Sequence, residues 1–132
     1  MTPFAATLVA DVSELVDFRR GFGSWLHEGH VSDELAAELV LAAHEAVANA
    51  VQHSEGSDEI RVRASIGTDG ITIDVTDRGR WTTPDGRIED NRRGLELIRG
   101  LTDTVLLCLD ESGTTVKMRH SLAAPKPLAA AP

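Results

Sequence analysis

Glu45 and Asn49 stand four residues apart within Leu41-Ala42-Ala43-His44-Glu45-Ala46-Val47-Ala48-Asn49-Ala50-Val51-Gln52-His53. In a helix that spacing sets both side chains on one stripe. A carboxylate so placed can serve as a general base, and a carboxamide oxygen can be offered to a hard cation, which takes oxygen ligands. Glu38 and Gln52 extend the stripe, and a solvated polar face is the simpler reading of all four. His53, one turn further, suits a partner to the last helical carbonyls better than a metal ligand.

Three further segments carry potential chemistry. Asp77-Arg78-Gly79 falls where a strand pattern stops. Its carboxylate can accept a hydrogen bond from the exocyclic amine of a base, and the glycine lets a planar ring approach the backbone; a plain turn uses the same residues. Arg92-Arg93-Gly94-Leu95 leads into a helix pattern, whose first N–H groups are unpaired and suit a phosphate. The two arginines can pair with phosphates or stay solvated in a loop. Gly113-Thr114-Thr115-Val116 opens the last strand pattern and reads equally well as a hairpin turn entering a β-branched run.

These segments need elements to position them. Ser13 is an expected cap for a helix from about Glu14 to Glu28, with Leu15, Phe18, Phe22, Trp25 and Leu26 along one side and Gly29 closing it. Ser32 opens a second helix reaching His53, with Leu35, Leu39, Ala43, Ala46, Val47 and Ala50 on its apolar face. The period then changes. Ile60, Val62, Ala64 and Ile66 alternate with Arg61, Arg63 and Ser65, Thr68-Asp69-Gly70 signals a turn, and Ile71 to Asp77 alternates again, which predicts an antiparallel hairpin. A loop over 78–93, a short helix from Gly94 to Leu101, and strands Thr104–Leu109 and Thr114–Ser121 complete the pattern. The fold class this predicts is α+β, a two-layer sandwich with a mostly antiparallel sheet.

Composition narrows the function. The 132 residues carry 13 Lys+Arg and 21 Asp+Glu, a formal net charge of −8, where a nucleic-acid grip would call for a basic surface. Five of those 13 cations (Arg78, Arg80, Arg87, Arg92 and Arg93) nevertheless fall within residues 78–93, a locally basic segment that fits one phosphate-bearing small molecule better than a polyanion. Cys108, the single cysteine, sits in an apolar run and reads as a small buried hydrophobe. With no internal disulfide, no signal-peptide pattern and no apolar stretch long enough for a membrane span, a cytoplasmic protein without membrane contact is expected. Residues 1–122 read as one domain and 123–132, rich in Ala and Pro, as a mobile tail.

Taken in order, Glu45-x-x-x-Asn49, Asp77-x-Gly79, Gly94-Leu95 and Gly113-Thr114 resemble the Bergerat ATP-binding superfamily of gyrase, a heat-shock chaperone, histidine kinases and mismatch-repair ATPases. The wording from Glu45 to His53 and the short length are most similar to the bacterial anti-sigma-factor serine kinases, over residues 4–121. The resemblance implies ATP and Mg2+ as cofactors. It implies Glu45 as general base, Asn49 as magnesium ligand, Asp77 on the adenine amino group with Gly79 beneath the ring, and Thr114 completing that network. Residues 80–93 would form the lid, and Arg92, Arg93, Gly94 and Leu95 the phosphate-binding helix start. The implied partners are a sigma factor and an anti-sigma-factor antagonist, with homodimers common to the resemblance. Two departures stand out: Arg92 occupies the position of the first lid glycine, and Ala48 replaces a frequent threonine. A serine/threonine protein kinase is therefore the first reading and a nucleotide-dependent binding module without phosphoryl transfer the alternative. A detached histidine-kinase domain and a gyrase-like ATPase rank lower, since neither a phospho-acceptor seam nor a second domain is visible in this sequence.

Overall fold

A computed structural model describes residues 1–53, 59–78, 92–110 and 113–122. The elements are β1 (Phe4–Val9), a 3-10 turn (Val12–Glu14), α1 (Leu15–Glu28), α2 (Asp33–His53), β2 (Glu59–Ile66), β3 (Gly70–Asp77), α3 (Arg92–Leu101), β4 (Thr104–Asp110) and β5 (Gly113–Ser121). The five strands form one sheet in the order β1-β2-β3-β5-β4, every pair antiparallel. The two-layer α+β architecture expected from the sequence is the architecture observed.

Alternation explains which side of the sheet is covered. Ile60, Val62 and Ala64 of β2, Ile71, Ile73 and Val75 of β3, and Val116 and Met118 of β5 are all buried, whereas Arg61, Arg63, Lys117 and Arg119 are exposed on the opposite face. Phe18, Phe22, Trp25 and Leu26 of α1 join this core, and Phe22 lies 5.7 Å, ring to ring, from both Phe18 and Trp25. Burying each large apolar side chain is worth about 1.5–3 kcal/mol. The buried face of α2 is mostly alanine (Ala42, Ala43, Ala46 and Ala50) with Leu39 and Val47. Small side chains let this helix lie close to α1, α3 and β3, all of which it packs against.

Several boundaries differ from the sequence reading. β1 lies where no strand was expected. Phe-Ala-Ala-Thr-Leu-Val has no clean alternation, and its extended form is set by pairing with β2, Phe4 opposite Ala64 through Val9 opposite Glu59. Ser13 does not cap α1. Its own N–H donates to Asp11 Oδ1 (2.9 Å), which starts the 3-10 turn, and α1 begins at Leu15 with no side-chain cap. Asp11 takes the cap position of the 3-10 turn, which leaves Ser13 inside that turn rather than ahead of a helix. Ser32 does cap α2, its Oγ accepting from Leu35 N at 3.2 Å.

Gly29 closes α1 as expected, but the left-handed turn falls on His30 (φ 61°). What Gly29 supplies is room, since a Cβ there would meet Ile66 Cδ1 and Met1 Sδ. α3 begins at Arg92, two residues before the expected Gly94, in keeping with the better helix propensity of arginine over glycine. Cys108 is half-buried rather than buried, because β4 is an edge strand and Cys108 alternates onto the open face with Leu106. The expected tail, 123–132, lies outside the described residues, as do Glu111 and Ser112 of the last turn.

Candidate functional site

Asp77 and Thr114 come from opposite ends of the sequence pattern and are brought directly opposite each other. Asp77 ends β3, Thr114 is the second residue of β5, and the two are register partners. Both point to the helix-covered side and both are almost wholly buried, at 2 % and 1 % exposure. In the next register step Thr76 and Thr115, on the open face, place their hydroxyls 3.1 Å apart. A carboxylate taken out of water this completely needs hydrogen-bonding company.

Gly113 makes this arrangement possible. It has φ 142°, and a Cβ at that position would collide with the Asp77 carbonyl oxygen and lie 2.7 Å from Arg78 Cα. The start of β5 therefore presses against the end of β3 in a way that only glycine permits. The sequence reading placed Gly113 with Thr114 in the motif set but assigned it no role of its own. A glycine directly before the first β-branched residue of a strand was the available signal.

The other half of the candidate site lies on α2. Glu45 is half-buried and Asn49 is buried at 5 % exposure, whereas Glu38 and Gln52 on the same stripe are exposed. The solvated-face reading thus holds for the ends of the stripe and fails at its centre. Asn49 Nδ2 has no hydrogen-bond partner among the described residues. A buried amide left in this condition costs about 1–3 kcal/mol, a penalty that a bound ligand with an acceptor oxygen would remove. His44 is half-buried, its Nδ1 also without a partner. Burial first, and then the Arg19 guanidinium, hold its pKa below the usual 6.5, while the Glu45 carboxylate acts in the opposite sense.

α2 links these parts, since it packs both on β3, which ends in Asp77, and on α3. The first turn of α3 comprises Arg92, Arg93, Gly94 and Leu95, the four positions proposed from sequence for phosphate contact. Their backbone N–H groups are those a helix leaves without internal partners. At its far end α3 is closed by Thr102, whose Oγ1 donates to the Ile98 carbonyl at 2.8 Å. Gly79, the remaining lid residues 80–91 and the His53 side chain lie outside what is described.

The chemistry of a divalent cation can be tested against these residues. Among the described residues no cluster of three or more His, Cys, Asp or Glu side chains could hold a metal alone. One carboxamide beside one carboxylate fits magnesium brought by a nucleotide, because that ion keeps waters and phosphate oxygens and takes only one or two protein ligands.

Helices on one face of a five-stranded antiparallel sheet, with a buried carboxylate at a strand end and a buried asparagine on the central helix, define a Bergerat-type α+β domain. The sequence profile of the histidine kinase-like ATPase domain, a family of ATP-binding domains, matches residues 8–120, and the chain belongs to that family. Among solved structures, the RsbU and RsbW domains of Rv1364c from Mycobacterium tuberculosis superpose with a TM-score of 0.77 at 27% identity. That match covers 95% of this chain and 34% of the other, so this chain spans about a third of that structure. The histidine kinase domain of the blue-light activated histidine kinase of Erythrobacter litoralis EL346 shares the fold, with a TM-score of 0.58 at 19% identity over 82% of this chain and 61% of that one. Among the described residues no helix is long and apolar enough to cross a membrane.

Proposed function

We propose that this chain binds ATP with Mg2+ and transfers the γ-phosphate to a serine or threonine of a protein antagonist, while alternately sequestering a sigma factor. The observation that carries the reading is Asn49, buried at 5 % exposure with an unsatisfied amide, one turn from the half-buried Glu45. The likeness to a structure containing an RsbW domain supports the anti-sigma-factor class.

The division of labour follows from the chemistry of each group. Asp77 accepts a hydrogen bond from the adenine amine, with Thr114 beside it and Gly79 under the ring. The first-turn N–H groups of Arg92, Arg93, Gly94 and Leu95, with the two guanidinium groups, bind the phosphates. Asn49 Oδ1 would help hold magnesium, which supplies charge neutralisation at the β- and γ-phosphates. Glu45 takes the proton of the acceptor hydroxyl as its oxygen bonds to the γ-phosphorus. The bond from that phosphorus to the bridging oxygen breaks, and ADP leaves.

Calorimetric titration with ATP and ADP, with and without magnesium, tests binding, and γ-labelled ATP with a candidate antagonist tests transfer. Asp77→Asn should lose nucleotide affinity, and Glu45→Ala should bind nucleotide yet transfer no label. Normal transfer by Glu45→Ala would remove the base assignment. Failure of the wild type to bind either nucleotide would remove the reading altogether. The placement of Arg92 inside the first turn of α3, where the resemblance implies a lid glycine, favours a second reading: a nucleotide-dependent protein-binding module. Intact ATP after prolonged incubation with the partner, alongside partner affinity that changes with nucleotide, would select it.

A further inference from the structure

The face of the sheet turned away from the helices differs in charge from the chain as a whole. Arg61 and Arg63 of β2 and Lys117 and Arg119 of β5 stand exposed on it. They are four of the eight Lys and Arg outside residues 78–93, so a chain of net charge −8 gathers half of those cations on one surface. Two carboxylates of β2 and β3 share the face. Glu59 lies at the start of β2, 4.0 Å from Arg61. Asp74 is half-buried and stands opposite Arg63 on one side and Lys117 on the other. Among the described residues Arg63, Lys117 and Arg119 form no ion pair.

Register fixes the pattern of the four cations. Arg61 is level with Thr76 and Thr115, Arg63 with Asp74 and Lys117, and Ser65 with Thr72 and Arg119. The cations therefore run diagonally across β2, β3 and β5. With strands about 4.8 Å apart and a rise of about 3.4 Å per residue, Arg61 to Arg119 spans about 17 Å. Along that line the cations fall about 5.5 Å apart, with Arg63 and Lys117 displaced about 4 Å to opposite sides. An α-helix advances about 5.4 Å per turn.

We infer that this face docks an acidic amphipathic helix of a protein partner, laid along the diagonal with one carboxylate per turn toward each cation. Positions i, i+4, i+7 and i+11 of a helix share one side, and the flexible stems of Arg and Lys cover the sideways offsets. The short side chains level with the cations leave the helix room to approach. A nucleic acid fits this surface worse. Asp74 falls midway along the diagonal, where continuous phosphates would meet it, whereas a helix sets its separate carboxylates on either side. The strands also contribute no aromatic ring to this face for bases to stack on. The chain's own C-terminal stretch is no candidate occupant, since residues 123–132 contain no Asp or Glu. Asp77 and Thr114 are buried on the helix-covered side, so docking here is independent of the nucleotide reading.

The test is fluorescence anisotropy of the full chain, without nucleotide, against a labelled alanine-based helical peptide with glutamate at i, i+4, i+7 and i+11. The controls are a peptide with the same residues reordered around the helix and a single-stranded DNA oligomer. Each exposed pair contributes roughly 1.5- to fivefold, so the striped peptide should bind about tenfold more tightly than the reordered one, and added salt should weaken it. Arg61→Glu/Arg119→Glu removes two pairs and adds two repulsions, and should lose at least about tenfold. It should instead take up a peptide with lysine at the same four positions. Both substituted residues stand opposite threonines rather than Asp74, so far-ultraviolet circular dichroism should be unchanged. No binding of the striped peptide, equal affinity for the reordered one, or tighter binding of the DNA would overturn the inference. So would undiminished binding by Arg61→Glu/Arg119→Glu, or a change of oligomeric state in that variant by sedimentation, which would assign the face to a second copy of this chain.

Discussion

Replacing Gly113 with alanine should weaken nucleotide binding without removing any side chain proposed to contact the nucleotide. The added Cβ would collide with the Asp77 carbonyl oxygen and would lie 2.7 Å from Arg78 Cα, against the 3.4 Å at which ordinary contact begins. The two strand ends must therefore separate by at least about 0.7 Å, which relieves the Arg78 contact alone. The φ of 142° adds strain for any L side chain, of about 1–3 kcal/mol. Together these place the stability loss at roughly 2–4 kcal/mol, or a fall in Tm of roughly 6–15 °C for a domain of this size. The Asp77–Thr114 pair spreads by the same displacement, and misplacing site groups by about 1 Å can cost ~10²-fold. A loss of affinity of at least about tenfold, or ~1.4 kcal/mol, is expected by calorimetry below the lowered Tm. Gly70→Ala is the control. Its Cβ would come 2.7 Å from the His120 carbonyl oxygen at the other end of the same β3–β5 pairing, seven register steps from Asp77 and about 23 Å away at strand rise. It should destabilise the sheet and leave affinity near wild type. Wild-type affinity in Gly113→Ala, or an equal loss in Gly70→Ala, would refute the reasoning.

Two other outcomes follow from local chemistry. Ser32→Ala removes the oxygen that accepts from Leu35 N and should cost about 1 kcal/mol in urea unfolding, whereas Ser13→Ala, whose side chain caps nothing in α1, should change stability by less than about 0.5 kcal/mol. His44 favours its neutral form in the fold because of burial and Arg19. Its folded pKa lies below the unfolded 6.5, so the unfolded chain takes up the proton first and stability falls as pH drops through 6.5 toward the folded value. His44→Gln should flatten that part of the stability profile, and an unchanged slope would show that other groups set it.

Much of the fold was legible because burial and period coincide. β2 and β3 read correctly since every second residue is apolar and the covered face of the sheet takes that set. α2 read correctly because Ser32 and the acidic first turn mark its start and its apolar stripe is long. β1 was not legible, for its six residues carry no local signal and owe their extended form to a partner nearly sixty residues away, Ala64 opposite Phe4. Ser13 misled for a local reason, since Asp11 two residues earlier takes the cap position. Cys108 misled because an apolar run in sequence looks the same at the centre of a sheet and at its edge.

The candidate site divides along the same line. Residue type and order alone determined which groups could take part: Glu45 and Asn49 four apart, Asp77 at a strand end, a glycine-bearing helix start, and Thr114 opening the last strand. Net charge alone argued against a polyanion grip. Tertiary structure decided what spacing cannot express. It buried Asn49 while leaving Glu38 and Gln52 in water, and it set Asp77 against Thr114 across strands separated by thirty-six intervening residues. It made Gly113 the point of closest approach and placed β4 at one end of the strand order. The physical reason is that periodicity encodes one element's two faces, whereas exposure and pairing depend on which other elements arrive to cover them.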